Sequence, residues 1–134
     1  MIDCGSYRIL LEVNFNISIM VGALGEIPFK NGYYIYSGSA MGNLRSRVNR
    51  HLSKEKKLRW HIDYLLLNES VEILKIIEYP SLIKEECKLN IELITFQDSY
   101  IPVKGFGSSD CKICPSHLIG FKKLPLEFER FVIK

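Results

Sequence analysis

The chain has no apolar run long enough to enter a membrane: its longest apolar stretches, such as residues 64–67, fall far short of the ~20 residues a bilayer requires. Its first residues, Met1-Ile2-Asp3-Cys4-Gly5, lack the basic stretch and apolar core of a secretion signal. Both absences predict a cytoplasmic protein without a membrane partner. Repeats, linkers and low-complexity tracts are also missing. With 47% hydrophobic and 25% charged residues, the composition excludes disordered and collagen-like chains. The four cysteines, without a signal peptide, favour thiols or a metal site over a disulfide framework. Alanine and glutamine are scarce while isoleucine and lysine abound, a bias compatible with a thermophile, where intracellular disulfides do occur.

What is present is one domain. At 134 residues the chain can bury a proper core, and residues 1–134 are read as a single unit that includes a Cys/His-containing tail, 105–134. The net charge of +3 hides two unlike parts. Seven basic residues (Arg45, Arg47, Arg50, Lys54, Lys56, Lys57 and Arg59) stand against Glu55 in residues 45–59, giving +6. The remainder, with 11 basic and 14 acidic residues, carries −3. A weakly acidic body with one basic segment implies an anionic partner reached from one face.

Residues 7–13, 17–21 and 33–37 read as strands, with Asn31-Gly32 as a turn and Pro28 confining residues 27–29 to a sheet edge. Residues 38–42 read as a flexible loop. Asn43 then serves as N-cap of a helix ending near Ser53, with Leu44, Val48 and Leu52 as its buried stripe and Arg47 and His51 at the border. A second helix is predicted over 60–67 and a strand over 71–79. A third helix is predicted over 82–96, capped by Ser81, with Ile83, Cys87, Ile91 and Ile94 facing the core. Residues 118–134 fit strand and helix equally. The fold class is therefore α/β in the α+β sense: a small, mostly antiparallel central sheet flanked by about three helices.

Gly5-Ser6-Tyr7, Tyr36-Ser37-Gly38, Arg47-x-x-x-His51 and Glu86 follow one another in the order of the GIY-YIG nuclease domain, which the chain resembles from about Gly5 to Leu118. Tyr34-Ile35-Tyr36-Ser37-Gly38-Ser39-Ala40, Arg50-His51-Leu52, Trp60-His61-Ile62-Asp63-Tyr64-Leu65, Glu86-Cys87 and Phe106-Gly107-Ser108-Ser109-Asp110-Cys111 look like the stand-alone, Uri-type branch common in archaea. The resemblance implies a metal-dependent endonuclease that hydrolyses phosphodiesters of nucleic acid, with DNA favoured, in a repair or recombination role. It implies Glu86 as ligand of Mg²⁺ or Mn²⁺, a hard-cation role that suits a carboxylate. Arg47 would stabilise charge on phosphate. Tyr7 would activate the attacking water, with Arg47 or the metal lowering its pKa. Tyr36 would place water and phosphate, and His51 would support as acid, base or orienting group. Two departures stand out: residues 14–32 form an extra hairpin-like insertion between the tyrosines, and the asparagine many members carry after the glutamate helix is missing. Ser108, Ser109 or Asp110 would be the residue that serves instead.

Arg45, Arg50, Lys54, Lys56, Lys57, Arg59 and His61 are the candidate nucleic-acid contacts. Cys111-x-x-Cys114-x-x-His117, with Cys87, Cys4 or His61 as fourth ligand, fits a structural zinc; a disulfide of Cys87 with Cys111 or Cys114 is the alternative. Each group also has a plain reading: strand tyrosines, a solvated helix edge, a helix-dipole glutamate and buried thiols. The rival functions are a nucleic-acid-binding module with this fold but without efficient catalysis, and a zinc-stabilised interaction protein.

Overall fold

A computed structural model describes residues 2–108 and 113–131. In chain order its elements are β1 (Gly5–Val13), β2 (Ile17–Met20), β3 (Glu26–Phe29), β4 (Gly32–Ala40), α1 (Leu44–Leu52), α2 (His61–Leu66), β5 (Val71–Pro80), α3 (Glu86–Ile94), β6 (Ser99–Tyr100), β7 (Leu118–Phe121) and α4 (Leu126–Glu129). Five strands form one antiparallel sheet in the order β5-β1-β4-β7-β6. The inserted residues between β1 and β4 pair only with each other, β2 against β3, in a separate two-stranded sheet.

β1 and β4 are central and buried on both faces, so each alternates between two cores. Tyr7, Ile9, Leu11 and Val13 join Tyr34, Tyr36, Leu44, Val48, Ile62 and Leu65 on the face covered by α1 and α2. Leu10, Ile35, Ile119 and Phe121 face the other way, against Leu93 and Phe128. Burial of these side chains, worth about 1.5–3 kcal/mol each, is the main force holding helices to sheet.

Several expectations need correction. Residues 38–40 are strand rather than loop, because Gly5, Ser6 and Tyr7 pair with Ala40, Ser39 and Gly38. Asn43 stands at the N-cap position of α1 in a left-handed conformation, with no side-chain cap bond. Asp3 caps instead: its carbonyl accepts from Leu44 N at 3.0 Å and its carboxylate from Arg45 N at 2.9 Å. Leu44 and Val48 are buried as predicted, but His51 is buried at 1% exposure while Leu52 is 51% exposed, so these two exchange the expected places. The third helix starts at Glu86, since Ser81 forms a local turn to Ile83 N and Leu82 and Ile83 point to solvent. Its buried residues are Asn90 and Leu93; Ile91 is exposed. Within the ambiguous tail, β7 is a strand and α4 a short helix.

Candidate active site

β7 pairs with only Tyr33 to Tyr36 of the longer β4. Beyond that point one backbone bond, Ser37 N to His117 O at 3.0 Å, continues the pairing. Gly38 and Ser39 therefore face a cleft of about 580 Å³, walled by the start of α3, Trp60 and His61, and residues 107, 113 and 117. Tyr7, Tyr36, Ser39 and Glu86 line it, with His51 and Arg47 contacting the groups of its floor.

Tyr7, on β1, lies in register with Gly38 and forms a 2.7 Å hydrogen bond with His51 Nε2. Only glycine suits position 38, because a Cβ there would stand 2.5 Å from the Tyr7 hydroxyl. Burial pushes the Tyr7 phenol up to about 12, and the neighbouring Arg47 guanidinium only partly offsets this. Arg47 lowers the phenol pKa as expected, but by less than burial raises it, so the resting phenol is protonated. Burial likewise raises Tyr36, whose ring packs on Gly107.

His51 is held neutral. Burial, assisted by the Lys56 ammonium, pushes it down to about 3. Its Nδ1 has no hydrogen-bond partner among the described residues, so no second group fixes its tautomer. Below its ordinary value of ~6.5 the unfolded chain takes up a proton that the folded chain refuses, so stability falls as pH drops from there toward about 3. Urea unfolding of the wild type is expected to show a loss of about 2 kcal/mol from this group between pH 7 and pH 5. His51→Gln should flatten that slope; an unchanged slope would remove His51 as its source.

Glu86 opens α3, where the helix N-terminus favours a carboxylate. Its Oε2 accepts from Ser39 Oγ at 2.6 Å and its Oε1 pairs with Lys84 Nζ at 3.1 Å. Arg47 Nη1 donates to the Ser39 carbonyl at 3.0 Å, so Ser39 links the arginine to the glutamate. Trp60 packs against the core and is also a platform for three cations: the Arg47, Arg50 and Arg59 guanidiniums lie 4.5, 4.2 and 5.3 Å from its ring centroid. Sequence reasoning gave no role to Ser39 or Lys84; their one signal was proximity to Gly38 and Glu86.

The basic segment divides. Arg50 grips the buried Asp63 carboxylate with both terminal nitrogens and donates to Lys57 O. Lys54 donates to Leu66 O, and Lys56 to the Arg50 and His51 carbonyls at the end of α1. Arg45, Lys57 and Arg59 are exposed. His61 Nδ1 accepts from Gly107 N at 2.8 Å, and burial lowers its pKa. This bond holds the 105–108 loop against the cleft; Gly107, with φ +65 and Tyr36 Cε1 2.9 Å from where a Cβ would be, is suited to that close approach.

Ligand atoms of Cys87, Cys114 and His117 all lie within 4.8 Å of one another, close enough to hold a metal ion. No disulfide joins Cys87 to Cys114. Cys4 is remote from them in its contacts, its thiol donating to Ser81 O, and His61 is engaged by Gly107. Cys111, Ser109 and Asp110 lie outside the described residues.

Fold and cleft together define a small α+β domain with a polar site at one end of its central sheet. A family model described as domain of unknown function DUF123 matches residues 6–132, and the chain belongs to that family. No curated protein and no solved structure matches it. Among the described residues, no helix is long and apolar enough to cross a membrane.

Proposed function

We propose that the chain is a metal-dependent endonuclease of the GIY-YIG type, hydrolysing phosphodiester bonds of nucleic acid, with DNA the favoured substrate in a cytoplasmic repair or recombination role. The observation that carries this reading is the 2.7 Å Tyr7–His51 bond at the floor of a cleft that also holds Glu86.

Hydrolysis of a phosphodiester needs a group to take the proton of water, cations for the phosphate oxygens and an ordered nucleophile. In the tautomer with Nδ1 protonated, His51 Nε2 accepts from Tyr7, leaving the phenol oxygen to accept from water. Negative charge entering with a phosphate favours the imidazolium, so Tyr7 can pass its proton to His51 as it takes one from water. Arg47, steadied by Trp60 and the Ser39 carbonyl, would stabilise the charge on the phosphate. Arg45, Lys57 and Arg59 are the exposed cations that would contact the backbone.

The oxygen donors of Glu86 and Ser39 in an open cleft suit Mg²⁺ or Mn²⁺, which bind through one or two carboxylates and keep several waters. Lys84, 63% exposed, competes for Oε1 and can swing away on its flexible stem. When bound, the cation would supply charge stabilisation to the phosphate.

Tyr7→Phe keeps the ring and removes the hydroxyl. It is expected to lower cleavage by about 10²–10⁴-fold, the usual worth of a general acid–base group, while circular dichroism stays native. Cleavage within a few-fold of wild type would exclude the phenol from the reaction.

A further inference from the structure

We propose that Cys87, Cys114 and His117 hold a zinc ion at the wall of the cleft, a centre separate from the oxygen donors of Glu86 and Ser39. Cys87 Sγ and His117 Nε2 are 3.8 Å apart, near the separation of about 3.6 Å that a sulfur and a nitrogen adopt on one tetrahedral zinc. The Cys114 sulfur completes a triangle with no side above 4.8 Å. Two thiolates and an imidazole are soft and intermediate donors, which select zinc over the magnesium or manganese that a carboxylate prefers.

The backbone already holds these ligands in place. Asn90, buried on α3, donates to Ser116 O at 2.6 Å. His117 N donates to Phe106 O at 2.8 Å, its carbonyl accepts from Ser37 N, and Gly105 N donates to Pro115 O at 2.7 Å. Cys114 and His117 are 5% and 4% exposed, so the ion would sit largely out of water. Cys87 and His117 border the cleft, leaving the fourth coordination position for a water or a further donor.

Binding releases the two thiol protons, and its free energy adds to that of the fold. Cys87 directly follows Glu86 on α3, so the ion would tie residues 114–117 to the first turn of α3 and fix where Glu86 projects. Cys87, Cys114 and His117 are positioning residues in this arrangement.

The test is metal content and spectroscopy, read independently of cleavage. Protein purified without chelator and exposed to Zn²⁺ should carry one zinc per chain after gel filtration. Replacement by Co²⁺ should give sulfur-to-cobalt charge-transfer absorption and the strong visible bands of tetrahedral cobalt. Cys87→Ser with Cys114→Ser should lose both, whereas Glu86→Gln should retain both and so separate this centre from the nuclease metal. Should the double variant not fold, the wild-type cobalt spectrum decides alone. Little zinc after exposure to excess, a cobalt spectrum without sulfur ligation, or a Cys87–Cys114 disulfide in fresh protein would each overturn the assignment.

Discussion

Glu86→Gln is expected to reduce metal-dependent strand cleavage by at least ~10²-fold, because the carboxylate proposed to hold the cation becomes a neutral amide. The substitution is nearly isosteric, and the amide oxygen can still accept from Ser39. The lost ion pair is with a lysine 63% exposed, so solvent screens it and the fold should barely change. Cleavage rates and melting curves measured together separate the two effects. Near-wild-type cleavage would sink the assignment of Glu86; a collapse in melting temperature would move its role from chemistry to structure.

The largest effect on stability is expected at Asp63. This carboxylate is fully buried and accepts four hydrogen bonds, from Arg50 Nη1 and Nη2 at 2.9 and 3.0 Å and from the backbone of Arg59 and Trp60 at 2.9 and 2.8 Å. Asp63→Ala strands these donors, two on a cation, and should cost about 3–5 kcal/mol. The loss would also release Arg50 and Trp60, and with them the platform beneath Arg47. Burial alone would raise the Asp63 pKa, but the Arg50, Trp60 and Arg59 hydrogen bonds outweigh it and hold it below the ordinary carboxylate range. Its stabilisation is therefore fully present above ~3.9 and lost as pH falls below that value toward the lower folded one. Denaturant unfolding shows both effects; a loss under ~1 kcal/mol would mean the four donors find other partners.

The central strands were legible because β-formers at residues 7–13 and 33–37 sit between clear turn signals. The strand at residues 17–21 was legible for the same reason, whereas reading residues 14–32 as an insertion between the tyrosines rested on the resemblance. Residues 38–40 were not, since glycine and serine there read as loop until β1 is laid beside them. The wheel of α1 placed Leu52 inward and His51 at its border; what surrounds His51 are the Tyr7, Tyr36 and Trp60 rings, and it bonds to the Tyr7 hydroxyl 44 residues away in sequence. The start of α3 was obscured because Leu82 and Ile83 are apolar yet exposed. In the site, the order of motifs brought Tyr7, Tyr36, Arg47, His51 and Glu86 into view. Ser39 and Asp63 stayed hidden because their roles depend on partners reached only by the folded chain. Three of the seven basic residues proved similarly opaque: charge counts show the cations, but not that Arg50, Lys54 and Lys56 secure α1 and α2.

The nuclease assignment is tested most directly by strand scission. Purified wild-type chain would be incubated with linear duplex, branched and single-stranded DNA, and with RNA, in Mg²⁺, in Mn²⁺ and in EDTA. Cleavage of at least one DNA substrate that requires the divalent cation is the expected result. Salt-sensitive binding without scission of any substrate in either metal would contradict it, leaving a nucleic-acid-binding module in its place.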